Sequence, residues 1–319
     1  MSKHSPLSSI ERAAQIYDFG AALRAPAVAP IPEPVAEPVV EPEAAPRIRP
    51  RALAREEITA VAAELPVPFE LEARDVAPVD RAALLRKGFI VPGGPVTGLA
   101  EEFRLVKRQL LGNIARRVSL PEEKRRTVLI CSGQPDEGKS FCAINLALSL
   151  SGEREHEVLL VDGDFSKPEV LKTLGIEDGP GLVEALADPR IDPEDLVIRT
   201  DIRGLSVLPS GRKTNNVPEL LSSDRTREVL AKLVAGDGKR IVLFDSPPAL
   251  MASPATVLAG HVGQTLVVVR ADQTTEADLR ETIGLLSACD HVGLLLNGAG
   301  IAVSARKFGA YDGYGHDDD

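Results

Sequence analysis

Six short apolar runs follow one another along the chain from residue 126 onward, and none shows the polar alternation of a half-exposed strand. Runs of this kind, rich in valine, isoleucine and leucine, are typical of parallel strands that are buried on both faces. The runs are RTVLICS (126–132), HEVLLVDGD (156–164), GLSVLPSG (204–211), KRIVLFDSPP (239–248), GQTLVVVRA (263–271) and HVGLLLNGAG (291–300).

Segments with helical periodicity lie between these runs. They include SFCAINLALSLSG, SSDRTREVLAKLVAG and TTEADLRETIGLLSAC, and the last of them opens on Thr275 and Asp278 in the spacing of a capping box. Strands that alternate with helices predict a doubly wound, mostly parallel α/β sheet, in which ligands bind at the carboxyl ends of the strands. An amphipathic helix is predicted upstream in GLAEEFRLVKRQLLGNIARRV, where apolar residues recur every three or four positions: Phe103, Val106, Leu110 and Ile114.

The N-terminal part of the chain has a different composition. Residues 26–50 carry eight of the 25 prolines, interleaved with alanine, valine and glutamate. Each proline fixes its own φ and biases the preceding residue towards extended conformations, so this stretch predicts a semi-rigid polyproline-type spacer. Before it, SSIERAAQIYDFGAALR fits a short helix and a frayed terminus equally well.

The charge and cysteine content of the chain indicate which partners and which cellular compartment to expect. The 319-residue chain has a net charge of −10, so nothing overall favours binding to nucleic acid or to an anionic membrane surface. Its three cysteines have neither the spacing of a disulfide framework nor that of a zinc site, which fits a reducing cytosol. No apolar run approaches the roughly 20 residues of a membrane helix, so any membrane role is expected to depend on a partner.

The segment CSGQPDEGKSF, residues 131–141, has the glycine spacing of a loop that holds phosphates. It lies between a predicted strand and a predicted helix, which is the context that such a loop requires. Lys139 is placed to reach the β- and γ-phosphates, and Ser140 to offer its hydroxyl to Mg²⁺. We therefore predict an ATP site formed by Gly133, Asp136, Glu137, Gly138, Lys139, Ser140 and Phe141.

Acidic residues follow two of the apolar runs. VLLVDGD supplies Asp162 and Asp164, and IVLFDSPP supplies Asp245. Mg²⁺ in a nucleotide site is held by carboxylates that lie just beyond hydrophobic strands. The three aspartates can meet one metal ion only if these two strands are neighbours, so the sequence predicts that they are.

The combination of SGQPDEGKS, VLLVDGDFSKP and IVLFDSPP resembles the bacterial tyrosine kinases. Their pattern is a phosphate loop, a D-x-D motif after the second strand and a second acidic strand that ends in D-x-P-P. The similarity extends from about residue 97 to the C-terminus and includes GLVEALADP, LSVLPSG, VPELLSSD and LLLNG. The short N-terminal segment, the proline-rich spacer and the lack of membrane spans resemble the exosortase-associated exopolysaccharide branch of that family.

The resemblance implies a P-loop NTPase fold and an ATP-dependent protein-tyrosine autokinase that uses Mg²⁺. It places Lys139 on the phosphates, with Ser140, Asp164 and Asp245 around the metal ion. Asp162 is the implied base or orienting group for the tyrosine hydroxyl. Lys139, Asp162 and Asp164 are therefore the implied catalytic residues.

The chain departs from the family pattern at one position of the D-x-D segment. Where the family often has arginine, this chain has Ser166, followed by Lys167. A lysine can supply positive charge one position later, but it lacks the planar fork of a guanidinium. The departure therefore affects how the acidic pair is oriented.

Two of the three tyrosines fall in the final segment, YDGYGHDDD. Glycines and aspartates keep such a tail solvated, because it cannot bury enough apolar surface to fold. The family's autophosphorylation sites form a tyrosine cluster at this place. The resemblance therefore implies Tyr311 and Tyr314, rather than Tyr17, as the phosphorylated residues.

The predicted helix near residue 101 carries charges that bear on assembly. Glu101, Arg104 and Lys107 are similar to the family's E-x-x-R-x-x-R assembly motif, so the resemblance implies a homo-oligomer held through residues 101–107 and the tail. A solvated helix face is the alternative. A separate membrane polysaccharide copolymerase is the other implied partner, which would hold the protein in the cytoplasm beside the inner membrane.

The predicted organisation has four parts. They are a short helix or frayed terminus (1–25), a Pro/Ala/Glu-rich spacer and irregular segment (26–96), a P-loop kinase domain (97–305) and a mobile Tyr/Asp/Gly tail (306–319). The implied biological role is regulation of exopolysaccharide biosynthesis or export.

Two other functions remain open from the sequence. A partitioning or positioning ATPase shares the fold and both acidic strands, but it places a signature lysine directly after the first loop glycine, where this chain has Gln134. A nucleotide-gated scaffold for a membrane copolymerase, which transfers phosphate poorly, is compatible with Ser166 and with the sparse tail.

Overall fold

The computed structural model describes residues 76–94, 96–235 and 239–299. Within them, seven strands form one sheet in the order β3-β4-β2-β5-β1-β6-β7. The strands are β1 (Thr127–Ser132), β2 (Glu157–Asp162), β3 (Ile198–Arg199), β4 (Leu205–Leu208), β5 (Arg240–Asp245), β6 (Gln264–Arg270) and β7 (Val292–Asn297). Each of the six predicted runs contains one strand. The unpredicted strand is β3, a two-residue edge strand that is too short to have a periodicity.

The helices cover both faces of the sheet. They are α1 (Arg81–Arg86), α2 (Gly98–Arg116), α3 (Glu122–Arg125), α4 (Lys139–Leu150), α5 (Val170–Leu174), α6 (Leu182–Ala187), α7 (Val217–Leu221), α8 (Asp224–Ala235), α9 (Ser253–Ala259) and α10 (Glu276–Leu285). A 3₁₀ turn, Pro193–Leu196, precedes β3. All strand pairs are parallel except β3 with β4, so the predicted doubly wound, mostly parallel α/β fold is confirmed.

Alternate side chains of each central strand enter two separate apolar cores. In β1, Val128 and Ile130 pack on the side of α2 and α4, whereas Leu129 packs on the side of α6 to α9. All three are completely buried. This explains the continuous apolar runs in the sequence, since a strand covered on both faces has no solvent-facing position.

The helix α2 is amphipathic, as predicted. The Thr97 side chain caps its N-terminus by accepting the N–H of Ala100, and Phe103, Leu110 and Ile114 are buried. These apolar side chains pack in the same core as α4, on the sheet side of the helix.

Residues 76–94 belong to the folded unit, although the sequence indicated that the kinase domain begins at residue 97. Val79 and Leu84 lie in the apolar core. The backbone N–H of Ile90 donates to Asn145 Oδ1 at 2.8 Å, and the rings of Phe89 and Phe141 lie 4.9 Å apart. The predicted boundary is therefore too late, because these few apolar side chains have no helical or strand periodicity from which their burial could be inferred.

Several predicted features lie outside the described residues. They are the terminal segment 1–25, the proline-rich stretch 26–50, the whole tail 306–319, and Tyr17, Tyr311 and Tyr314. Among the helices that the structure does describe, none is both long enough and apolar enough to cross a bilayer.

Candidate nucleotide site

The phosphate-loop segment joins the C-terminal end of β1 to the N-terminal end of α4. Gly138 caps α4 in a left-handed conformation, with a φ of 95°. A Cβ at this position would lie 2.1 Å from Asn297 Nδ2, so both the dihedral angle and the available space require glycine. The 12-residue helix then starts at Lys139, and its first N–H groups, which have no partner within the helix, lie where a phosphate site needs them.

Glu137 holds this loop together from inside. Only 1% of its surface is exposed, and its carboxylate accepts the N–H of Gln134 at 2.8 Å and the hydroxyl of Thr274. Its carbonyl accepts a hydrogen bond from Asn297 Nδ2 at 2.8 Å. The Glu137 carboxylate is therefore committed within the protein, and the predicted contact of this residue with nucleotide stays a prediction for its backbone alone.

The remaining loop residues lie around the same turn. The Gly133 carbonyl accepts the N–H of Leu250 at 3.2 Å, and Asp136 is exposed with a φ of 61°. The Phe141 ring packs against Phe89, so this residue also faces the protein rather than the loop mouth. Neither the role of Thr274 nor that of Asn297 in the loop was predicted, since no local sequence signal marks them.

The ends of β2 and β5 bring two aspartates together. Asp162 and Asp245 are register partners on these neighbouring parallel strands, and β5 also pairs with β1, which leads into the phosphate loop. Between Asp162 and Asp164, the N–H of Gly163 donates to the Asp245 carbonyl at 2.7 Å. A Cβ on Gly163 would lie 2.8 Å from that oxygen, so glycine permits this close approach. The predicted adjacency of the two acidic strands is therefore present.

The Asp245 carboxylate is completely buried, and neither of its oxygens has a hydrogen-bond partner among the described residues. Burial raises the pKa of this carboxyl to about 8. The Ser140 hydroxyl, which approaches without reaching hydrogen-bonding geometry, lowers this pKa, and the nearby Asp162 charge raises it. The site thus contains a buried carboxyl without a hydrogen-bond partner in the described part of the chain, whose pKa the Lys139 charge lowers and the Asp164 charge raises.

The Asp162 carboxylate has a different environment. It accepts the backbone N–H of Val170 at 3.0 Å and that of Asp164 at 3.3 Å, and these contacts fix the turn after β2. Burial raises the pKa of Asp162 to about 7, although both hydrogen bonds oppose the shift because they stabilise the charged form.

The two oxygens of the Asp164 carboxylate contact two different parts of the site. Oδ2 lies 3.2 Å from the Lys139 ammonium, whereas Oδ1 accepts the Ser166 hydroxyl at 2.7 Å and the Lys167 N–H at 3.1 Å. This carboxylate therefore connects the D-x-D turn directly to the phosphate loop.

The oxygen donors at this edge of the sheet suit Mg²⁺. Ser140 offers a hydroxyl, and Asp164 and Asp245 offer carboxylates, which are hard ligands of the kind that this ion prefers. The unpartnered buried oxygens of Asp245 fit a bound cation. In the described ranges no group of three His, Cys, Asp or Glu side chains could hold a metal alone, and Mg²⁺ in nucleotide sites takes only one or two protein carboxylates alongside phosphate and water.

The chain is similar to several known proteins, although no protein-family model matches it. The tyrosine-protein kinase wzc of Salmonella typhi is 31% identical over 195 residues, which cover 61% of this chain and 26% of wzc. The solved kinase domain of VpsO is 30% identical, with a TM-score of 0.51, over 61% of this chain and 93% of that domain. The chain belongs to the bacterial tyrosine kinase family.

The share of each relative's length that this chain covers varies widely. The tyrosine-protein kinase YwqD of Bacillus subtilis is 26% identical over 239 residues, which cover 74% of this chain and 94% of YwqD. By contrast, the chain spans only about a quarter of the length of most curated relatives that it matches.

In this bacterial tyrosine kinase the side chain of Lys167 does not supply the charge of the missing arginine. Its ammonium pairs with Glu169 at 3.1 Å, and the lysine side chain is 68% exposed. Only the backbone N–H of Lys167 contacts Asp164, beside the hydroxyl of Ser166. Within the turn itself, Asp164 Oδ1 is therefore held by neutral donors, whereas Oδ2 contacts the Lys139 ammonium.

The three charges of the predicted assembly motif do not share one environment. Glu101 and Arg104 pair with each other at the surface of α2. Lys107 is 12% exposed and donates to the Ser149 carbonyl at 3.0 Å, with Glu153 Oε1 at 2.6 Å. Lys107 thus ties α2 to the C-terminal end of α4, whereas Glu101 and Arg104 remain accessible.

Proposed function

We propose that this bacterial tyrosine kinase transfers the γ-phosphoryl group of ATP to Tyr311 and Tyr314 of its own C-terminal tail. The observation that carries the proposal is the register of β2 and β5, which sets Asp162 opposite Asp245 beside the strand that leads to Lys139. A phosphate loop, a lysine and two acidic strand ends on adjacent strands are the parts that phosphoryl transfer requires.

Lys139 and the start of α4 would bind the phosphates of ATP. The helix N-terminus carries a partial positive charge, and the Lys139 ammonium adds a full one. That ammonium already contacts Asp164 Oδ2 at 3.2 Å, so a bound phosphate would share it with this carboxylate. Mg²⁺ held by Ser140, Asp164 and Asp245 would offset the charge that develops on the transferred group.

The transfer itself needs a base for the tyrosine hydroxyl, whose ordinary pKa is about 10. The tyrosine oxygen bonds to the γ-phosphorus, the bond from that phosphorus to the β–γ bridging oxygen breaks, and ADP leaves with the electron pair. Asp162 accepts the phenolic proton in this scheme. Its pKa of about 7 suits a base that works near neutral pH, and its hydrogen bonds to the turn keep it oriented.

Phosphorylation of the tail would also regulate assembly. Each phosphate adds about −1.5 to −2 charges at neutral pH to a protein whose net charge is −10. A tyrosine tail bound in a neighbouring subunit's site would be repelled by its aspartates once it is phosphorylated. We place this cycle in the control of exopolysaccharide export, on a membrane copolymerase at the inner membrane.

The decisive experiment is incubation of the full chain with ATP and Mg²⁺, followed by mass spectrometry. We expect phosphate on Tyr311 and Tyr314, and strong loss of phosphotyrosine in Lys139→Ala with an unchanged circular dichroism spectrum. Lys167→Ala is the matched control, because that ammonium pairs with Glu169 at the surface, and it should retain activity.

The outcomes separate the candidate functions. Phosphate mainly on Tyr17 or on serine and threonine would overturn the tail assignment. A chain that binds ADP and Mg²⁺ but forms no phosphotyrosine would support the scaffold function instead. Undiminished phosphotyrosine in a folded Lys139→Ala protein would overturn the assignment of the site.

A further inference from the structure

The hydroxyl of Ser166 makes the shortest hydrogen bond to the Asp164 carboxylate among the described residues. It lies 2.7 Å from Oδ1, and the Lys167 N–H lies 3.1 Å from the same oxygen. The other oxygen, Oδ2, lies 3.2 Å from the Lys139 ammonium. The carboxylate is therefore held in one orientation, with one oxygen in its own turn and the other towards the phosphate loop.

A side-chain donor is needed to hold this orientation. The terminal torsion of an aspartate is broad and roughly two-fold, so its packing alone defines the carboxylate plane poorly. Without the hydroxyl, Oδ1 would keep only the longer backbone contact from Lys167. The carboxylate could then rotate away from Lys139, and its position relative to a bound cation would be less well defined.

The neutrality of this donor has a separate consequence. An arginine at position 166 would place a permanent positive charge beside Asp164, in competition with Lys139 and with Mg²⁺ for the same carboxylate. The serine hydroxyl orients the carboxylate without neutralising it. Lys167 does not replace the missing charge, since its ammonium pairs with Glu169 at 3.1 Å.

We propose that Ser166 is a positioning residue for Mg²⁺-bound nucleotide, acting through Asp164. Its hydroxyl turns Asp164 Oδ2 towards Lys139 and leaves the carboxylate charge available to the metal. This inference rests on the proposed function, because it assumes that the site takes a magnesium nucleotide. It concerns binding, however, and can be measured without any phosphoryl transfer.

The test compares the affinity of the full chain for ADP with and without Mg²⁺ by isothermal titration calorimetry. In Ser166→Ala we expect the Kd for ADP with Mg²⁺ to rise roughly 10-fold, as removal of a group that orients a metal ligand typically causes. The Kd without Mg²⁺ should stay close to that of the wild type. Ser166→Thr keeps the hydroxyl and should restore most of the affinity.

Ser222→Ala provides the matched control. Its hydroxyl also makes a 2.7 Å hydrogen bond, to the Pro218 carbonyl at the exposed end of α7, so its removal should leave both Kd values unchanged. Equal melting temperatures of Ser166→Ala and the wild type without nucleotide would show that the effect is not a folding defect.

Three results bear on the proposal in different ways. Wild-type affinity for ADP with Mg²⁺ in Ser166→Ala, or failure of Ser166→Thr to restore a lost affinity, would overturn the role of Ser166 alone. The expected binding pattern in a protein that forms no phosphotyrosine would support the role of Ser166 and overturn only the kinase proposal. A wild type that binds ADP equally with and without Mg²⁺ would overturn both.

Discussion

Asp162 lies directly opposite Asp245 in the register of β2 and β5, two parallel strands that neighbour each other in the sheet. Both residues are completely buried, and no described residue makes a hydrogen bond to the carboxylate oxygens of Asp245. Burial penalises each charged form, and the two carboxylates repel each other. This pair therefore destabilises the folded chain, and a bound cation would relieve that cost.

Asp245→Asn should weaken the binding of ADP with Mg²⁺ without lowering the stability of the fold. The amide keeps the shape of the side chain but removes a buried acid that must either take up a proton or carry a charge without a hydrogen-bond partner among the described residues. We therefore expect an unchanged or higher free energy of unfolding, by up to about 3 kcal/mol. The affinity for ADP with Mg²⁺ should fall at least roughly 10-fold, because a metal ligand is lost. Chemical denaturation and calorimetry measure the two effects.

The control for this variant is Asp195→Asn, which changes an exposed aspartate and should alter neither quantity. A large loss of stability in Asp245→Asn would contradict the interpretation, since it would mean that the charged carboxylate stabilises the fold.

Thr274→Val should weaken the support of the phosphate loop, because it removes a hydrogen bond to Glu137 from a residue outside the loop. The Thr274 hydroxyl donates to the buried Glu137 carboxylate and accepts the Arg270 N–H at 2.8 Å. Valine leaves both groups without this partner, so the free energy of unfolding should fall by roughly 1–3 kcal/mol, and ADP should bind more weakly. Denaturant unfolding and ADP titration measure these effects.

Two further variants test whether this contact is specific. Thr214→Val removes a surface hydroxyl that accepts the Asn216 N–H, so it should have little effect. In a double-mutant cycle, Glu137→Gln should reduce the effect of Thr274→Val, because the two side chains share one hydrogen bond. Additive effects would indicate that Thr274 acts independently of Glu137.

The sequence predicts the strands and the phosphate loop because both depend on local patterns. The six apolar runs have the length and composition of buried strands, and Gly138, Lys139 and Ser140 have a fixed spacing within one loop. The three aspartates follow their strands directly. These features require no knowledge of the order of strands in the sheet.

The contacts that hold the loop have no local pattern. Thr274 and Asn297 contact Glu137 from 137 and 160 residues further along the chain. Only the sheet order brings β6 and β7 beside β1 and thus places these side chains at the loop. The sequence shows Glu137 within a nucleotide-binding motif, but it does not show that other elements bury its carboxylate.

Lys107 was misplaced for a related reason. The resemblance to the family's assembly motif implies a subunit contact at Glu101, Arg104 and Lys107, with a solvated helix face as the alternative. The end of α4 offers Lys107 an unpaired carbonyl at Ser149 and a carboxylate at Glu153, and helix C-termini favour such a cation. The contact belongs to the folding of one subunit.

Arg104→Ala and Lys107→Ala should therefore affect different properties: the first self-association, and the second the stability of each subunit. Arg104 is exposed, so its loss should change the monomer stability by less than about 0.5 kcal/mol and weaken any self-association that uses this face. Lys107→Ala removes the partner of Ser149 and Glu153 and should destabilise each subunit by about 1–2 kcal/mol. Light scattering measures the assembly size of each variant, and thermal unfolding measures its stability. A Lys107→Ala protein of normal stability but smaller assembly size would restore this lysine to the interface.

A polar network joins the C-terminal part of α2 to the start of β6 and β7. The Arg116 guanidinium donates to Asn113 Oδ1 at 2.6 Å, which directs the Asn113 amide nitrogen to Gln264 Oε1 at 3.2 Å and to His291 Nε2 at 2.8 Å. Since an amide nitrogen only donates, His291 Nε2 accepts, and the imidazole is neutral. Burial lowers the pKa of His291 from its usual 6.5, and the charges of Arg117 and Arg116 lower it further.

This network predicts that His291 itself contributes a loss of stability in mild acid. The unfolded chain protonates His291 near pH 6.5, whereas the folded chain resists protonation until a lower pH, so the unfolded state binds more protons in that window. The contribution of His291 to the free energy of unfolding should fall as the pH drops below about 6.5, by at most about 1.4 kcal/mol per pH unit. The raised pKa values of Asp162 and Asp245 contribute with the opposite sign over this range, so the His291 contribution is measured as a difference between variants. Burial also lowers the pKa of His261, which adds a decline of the same sign. The free energy of unfolding of the wild type, relative to that of His291→Gln, should therefore decrease as the pH falls from 8 to 5. Denaturant unfolding between pH 5 and pH 8 measures the profiles, and identical slopes in His291→Gln and the wild type would show that the network does not respond to protonation.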